Sequence, residues 1–109
     1  MEMQADNPMM ANVTVFLSGV GGDRHFTVEN EGAAPARNVE LKIESEGDKN
    51  APVLESELDK KFPIAELASG EQRSVQAIIT TGTGIHFNAY VVWQNPDGSH
   101  REVKTRLTP

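Results

Sequence analysis

Three histidines, His25, His86 and His100, are the side chains best suited to proton transfer or metal binding in this sequence, which has no cysteine. A metal ion needs several such ligands converging within about 2 Å of one point. His25 opens one alternating segment, while His86 and His100 fall near opposite ends of another. At about 3.4 Å of rise per residue the latter two are too far apart to share an ion, so all three read as solvated strand residues. Carboxylates gather at Glu44, Glu46 and Asp48 and again at Glu55, Glu57 and Asp59. Calcium takes about six to eight converging oxygens. Glu46-Gly47-Asp48-Lys49-Asn50 offers some of them, but it has Lys49 among them and lacks EF-hand spacing. It reads as a solvated acidic loop. A carboxylate pair for glycoside hydrolysis cannot be picked out, because paired strands alone offer no deep cleft. Ser18 and Ser74 lack a nucleophile elbow. Gly19-Val20-Gly21-Gly22 is followed by neither Lys-Ser/Thr nor a helix, so it is no phosphate loop. The expectation is a chain that is not an enzyme, with no catalytic, cofactor-binding or metal residues.

Any surface site must then ride on the element with the clearest pattern, a long β-hairpin from Ile85 to Leu107. Ile85, Phe87, Ala89, Val91 and Trp93 alternate with His86, Asn88, Tyr90, Val92 and Gln94. In the return arm Val103, Thr105 and Leu107 alternate with His100, Glu102, Lys104 and Arg106. Such period-2 alternation marks half-buried strands. Proline in Asn95-Pro96-Asp97-Gly98 presets a type I turn and glycine accepts the left-handed position after it. A bulged three-residue loop pairing Asn95 with Ser99 follows. That register sets Val91 opposite Val103, Ala89 opposite Thr105 and Phe87 opposite Leu107. A one-residue slip would bury Glu102 beside Val91, so turn chemistry and alternation agree independently. Arg101 falls opposite Trp93, either stacked on the indole or simply covering the edge of the core.

Elsewhere the chain reads as short strands. Asn12–Ser18 presents Val13, Val15 and Leu17 to one side, and Gly19, Gly21 and Gly22 with Asp23 break it. His25–Glu29 resumes with Phe26 and Val28, and the loop Asn30–Pro35 leads to Val39, Leu41 and Ile43, with Glu40, Lys42 and Glu44 outward. Residues 53–62 are divided. Leu54, Leu58 and Phe62 have helical spacing and Glu57 stands four before Lys61, a helix-supporting pair. Short strands at Val53–Glu57 and Phe62–Ile64 fit as well, and the all-strand surroundings favour them. Leu67–Gly70 is a turn, and Ser74–Thr80 a strand carrying Val75, Ala77 and Ile79. Six or seven strands with Gly/Pro-rich turns, and no material for crossover helices, predict an all-β, two-sheet antiparallel sandwich.

The 109 residues make one domain, expected over residues 12–109, with Met1–Ala11 a disordered leader or an artefactual end. That leader has neither a basic start nor a long apolar stretch, so it is no signal peptide. No apolar run approaches the roughly 20 residues that span a bilayer, which speaks against membrane insertion. A net charge of −6 without a basic cluster makes nucleic acid a poor partner.

The run from Phe26 to Ile43, with Asn30-Glu31-Gly32, Ala36 and Val39-x-Leu41-x-Ile43, has a family look. So does Leu67-Ala68-Ser69-Gly70-Glu71 ahead of the strand at Val75. Together they resemble bacterial immunoglobulin-like domains of the CARDB type (cell-adhesion-related domain found in bacteria) and related fibronectin type III-like modules. The likeness covers about two thirds of the chain, though the acidic, asparagine-rich close of CARDB domains is absent. The resemblance implies a non-catalytic structural or protein-interaction module of a bacterial-type surface or envelope protein. Its partners would be proteins, and its location extracytoplasmic if it is cut from a longer chain. The surface to watch is the outward face of the hairpin, Tyr90 and Val92 flanked by His100, Glu102 and Lys104, because an exposed aromatic beside an apolar residue can mark a contact. Packing under a loop, or a cross-strand Tyr90–Lys104 pair, would account for the same residues. The alternative is a small carbohydrate-binding module, for which only Tyr90, Trp93 and Phe16 are available aromatics.

Overall fold

Alternating apolar and polar residues become strands only if the apolar side finds cover, and here two sheets cover each other. The computed structural model describes residues 10–20, 23–46, 52–79 and 86–108. The elements run β1 (Val13–Val20), β2 (Asp23–Asn30), β3 (Ala36–Ser45), α1 (Glu55–Lys61), β4 (Ile64–Leu67), β5 (Gln72–Gln76), β6 (Phe87–Gln94) and β7 (His100–Leu107). One sheet has the order β1-β2-β5 and the other β4-β3-β6-β7, all neighbours antiparallel. The result is the expected all-β, two-sheet antiparallel sandwich, with seven strands among the described residues. Val13, Val15, Phe26, Val28 and Val75 of the first sheet face Val39, Leu41, Phe87, Val91 and Trp93 of the second. Phe26 and Phe87 meet edge to face, with centroids 5.8 Å apart, a geometry that aromatic quadrupoles favour.

Over its described residues the hairpin has the expected register, with Phe87 opposite Leu107, Ala89 opposite Thr105 and Val91 opposite Val103; Ile85 lies outside the described residues. Asn95 N–H donates to the Ser99 carbonyl (2.7 Å) and Gly98 N–H to the Asn95 carbonyl (2.9 Å). Gly98 has φ +91°, the left-handed value that only glycine takes without strain. Arg101 does stand opposite Trp93. Its guanidinium does not lie on the indole, because the cation–π contacts among the described residues both involve Tyr90. Trp93 is 1% exposed and its Nε1–H donates to Asn95 Oδ1.

Five expectations need correction. Residues 55–61 form a helix, not strands. Leu58 and Phe62 pack on the core while Leu54 stays exposed, and acidic Glu55 and Glu57 precede basic Lys60 and Lys61 in the sense the helix dipole favours. The neighbouring strand lies at Ile64–Leu67, so Leu67, expected in a turn, is a fully buried strand residue. β1 does not break at Gly19, which pairs with Arg24, and Val20 still pairs with Asp23. β5 ends at Gln76 rather than Thr80, although Ala77 N–H still bonds the Arg24 carbonyl; Thr80 lies outside the described residues. At the amino-terminal side, Ala11 belongs to the packed structure: it is 4% exposed and its N–H donates to Asn95 Oδ1 (2.9 Å).

Two buried asparagines tie the ends of the sheets together. Asn30 Nδ2 donates to the Ala34 and Leu67 carbonyls (2.8 and 2.9 Å), and its Oδ1 accepts from Gly32 N–H and Asn12 N–H (3.0 and 3.1 Å). Both amide donors and both acceptor lone pairs are used, so its burial leaves no polar atom unpaired.

Candidate interaction surface

In β6, residues with even numbers point away from the core, which places Asn88, Tyr90, Val92 and Gln94 on the outer face of the four-stranded sheet. β7 lies on one side of β6 and β3 on the other, so each of these residues sits in a cross-strand row. Tyr90 stands between Lys42 and Lys104, Val92 between Glu40 and Glu102, and Asn88 between Glu44 and Arg106. The two ammonium groups lie 6.0 Å (Lys42) and 5.7 Å (Lys104) from the Tyr90 ring centroid, at the outer limit for attraction by the ring's negative faces.

A shallow depression of about 440 Å³ covers this centre, lined by Glu40, Lys42, Glu44, Tyr90, Val92 and Glu102, with Leu41 at its floor. Tyr90 and Val92 are half-buried within it. The surface is thus a small apolar and aromatic centre ringed by charges of both signs. Lys42 Nζ also reaches Glu44 Oε2 (3.1 Å). At the far row Arg106 grips Glu46 with two bonds, Nε to Oε2 at 2.7 Å and Nη2 to Oε1 at 3.0 Å. The Arg106 guanidinium holds the Glu46 carboxyl below its usual range, and the carboxylate in turn raises Arg106.

The structure therefore brings Tyr90, Val92, Glu102 and Lys104 together and places His100 on the same face, opposite Gln94 at the hairpin tip and outside the depression. The cross-strand Tyr90–Lys104 pair forms. What the hairpin alone missed is the contribution of β3: Glu40, Lys42 and Glu44 supply half of the rim. Their outward direction was legible in the Val39–Ile43 alternation, but no local signal says that β3 lies beside β6.

The other chemistry-bearing residues stay apart. His25 Nε2 is 3.7 Å from Asp23 Oδ1, His86 Nδ1 is 3.2 Å from Thr108 Oγ1, and His100 is at the hairpin tip. Ser18, Thr27 and Ser74 share hydroxyl contacts of 3.1 and 2.8 Å on the outer face of the three-stranded sheet, and Ser18 Oγ also donates to the His25 backbone carbonyl (3.4 Å), not to its imidazole. Among the described residues no group of three or more histidines and carboxylates is placed to hold a metal ion. Residues 47–50 of the acidic loop, Asp48 included, lie outside the described residues. No helix among the described residues is long and apolar enough to cross a membrane. Compared with known protein families, with curated proteins and with solved structures, this chain finds no match.

Proposed function

We propose that this chain is a non-catalytic, immunoglobulin-like protein-interaction module that binds its partner through the outer face of the β4-β3-β6-β7 sheet. The observation that carries this reading is the Tyr90–Val92 centre, held on a stiff three-strand platform and ringed by Lys42, Lys104, Glu40 and Glu102. An aromatic and apolar centre with a charged rim is the anatomy of a small protein contact. The strand order supports an immunoglobulin-like relationship with one difference from constant-type domains. β4 lies beside β3 rather than beside β5. A surface or envelope setting and a bacterial origin rest on the CARDB-like motifs alone.

The carbohydrate alternative has less in its favour. Trp93 is buried, and Phe16 sits across from Thr27 on the outer face of the other sheet, so Tyr90 has no coplanar aromatic beside it.

The test is quantitative affinity capture from the organism of origin, comparing wild type with a Tyr90→Ala, Lys104→Glu double variant whose fold is checked by Trp93 fluorescence. A partner enriched by the wild type and lost with the variant supports the reading. Equal capture by both proteins, or glycan binding that quenches Trp93 or Tyr90 emission, counts against it.

A further inference from the structure

We propose a second site, adjoining the sheet face and sharing Glu40 and Lys42 with its rim: the groove between α1 and β3 receives an extended, basic-flanked peptide that pairs with the open edge of β3. β4 is short and pairs only with Ala36–Val39, whereas on its other side β3 pairs with β6 as far as Ser45. Among the described residues nothing pairs with β3 on the β4 side from Glu40 to Glu44. In an antiparallel strand alternate residues direct both N–H and C=O to the same side. Part of this stretch therefore offers its backbone groups to whatever lies in the groove, which makes it a template for strand addition.

Two other edges of the molecule are guarded. α1 plugs the edge of β5: Glu57 Oε1 accepts from Gln76 N–H (2.7 Å) and Lys61 Nζ donates to the Ser74 carbonyl (2.7 Å). β7 carries Arg101, Glu102, Lys104 and Arg106 along its length, a charge pattern that discourages pairing. The middle of β3 carries charges on its outward face, Glu40, Lys42 and Glu44, but among the described residues no side chain caps its backbone on the β4 side.

The groove is about 420 Å³, within the size range of small-ligand sites. Val53, Leu58 and Phe62 give it an apolar wall, and the carboxylates of Glu40, Glu55 and Asp59 stand at its rim. Among the described residues Lys42 is the one cation in the lining, and it is already engaged by Glu44 and Tyr90. An occupant should therefore supply three things. It needs an extended backbone of about five residues, roughly 17 Å long, to match Glu40–Glu44. It needs small apolar side chains at alternate positions for the wall, and lysine or arginine at its ends for the carboxylates.

A fluorescein-labelled synthetic peptide of alternating valine and threonine, about seven residues long with lysine at both ends, is the probe. Anisotropy titration should show saturable binding, with slowed amide exchange confined to Glu40–Glu44 in the complex. A Glu55→Lys, Asp59→Lys double variant, altered only at exposed positions, should weaken binding about tenfold or more. The same peptide N-methylated at alternate amides should not bind. Tyr90→Ala should bind the peptide as wild type does, which separates this site from the sheet face. The proposal is overturned by absence of saturable binding or by equal affinity for the methylated peptide. It is equally overturned by indifference to the charge reversals, by loss of binding in Tyr90→Ala, or by a concentration-dependent dimer that the reversals dissolve, which would place a second copy there instead.

Discussion

Replacing Asn30 by alanine should remove the tie between the two sheets at one end of the sandwich. The side chain makes four hydrogen bonds, to Ala34, Leu67, Gly32 and Asn12, from a fully buried position. At about 0.5–1.5 kcal/mol each the bonds sum to roughly 2–6 kcal/mol. Water entering the vacated space would re-pair some of the four backbone groups, so about 3 kcal/mol is the expected loss. For a domain of this size that corresponds to a fall of about 12 °C in Tm. Urea unfolding followed by the single, buried Trp93 gives the number directly; the midpoint should drop while the m-value holds. Asn30→Asp sharpens the test. A carboxylate keeps both acceptors but opposes the Ala34 and Leu67 carbonyls with charge. Burial raises the folded pKa of the introduced group, so the folded state binds its proton more readily than the unfolded chain. The deficit relative to wild type should therefore be full at neutral pH and shrink as pH falls through that raised pKa. A loss below about 1 kcal/mol for Asn30→Ala, or an Asn30→Asp deficit independent of pH, would refute the assignment.

Asn95→Ala strips the acceptor shared by Ala11 N–H and Trp93 Nε1–H and should cost about 2 kcal/mol, measured by the same urea titration. The double change Glu57→Ala, Lys61→Ala should leave global stability within about 1 kcal/mol of wild type while accelerating hydrogen exchange at Gln76 N–H, because only Glu57 caps that edge donor. Glu46, Glu71 and Asp97 are all held below their usual range, by Arg106, by the Ala68 N–H and by the Ser99 hydroxyl respectively. Their lowered folded pKa values mean stability that is complete above the unfolded range and lost as pH falls through the folded values, beneath the ordinary carboxylate range. Midpoints measured against pH should show this acid limb, and Arg106→Ala should flatten the share due to Glu46.

The hairpin was readable in full because two unrelated constraints, turn chemistry at Pro96–Gly98 and alternation from Phe87 to Leu107, allow one common register. Residues 53–62 were not, because helical and strand periodicities overlap there. What decides between them is remote: Leu58 and Phe62 find the core, and Glu57 and Lys61 find the edge of β5 many residues later in the chain. The candidate surface divides in the same way. Lys104 lies across the hairpin from Tyr90 and could be placed by counting from the turn. Lys42 reaches the same ring from β3, whose position beside β6 follows from how the whole core closes. The register shift between Arg37 and Glu40, where Asn38 takes φ +50°, is likewise a consequence of tertiary pairing, and asparagine merely tolerates it.

The clasp of Ala11 on Asn95 has a mechanical meaning. It pins the incoming chain at the pole of the hairpin tip, while β7 carries the chain to the opposite pole, near His86 and Thr108. Tension between those two points runs along the strand axes. Strands loaded that way slide against one another, and many ladder bonds must fail together, whereas a hairpin pulled at its open end unzips bond by bond. Pulled along its strands the fold is thus loaded in shear, with the Ala34 N–H bond to the Met10 carbonyl and the Ala11 N–H bond to Asn95 the first among the described residues to carry the load.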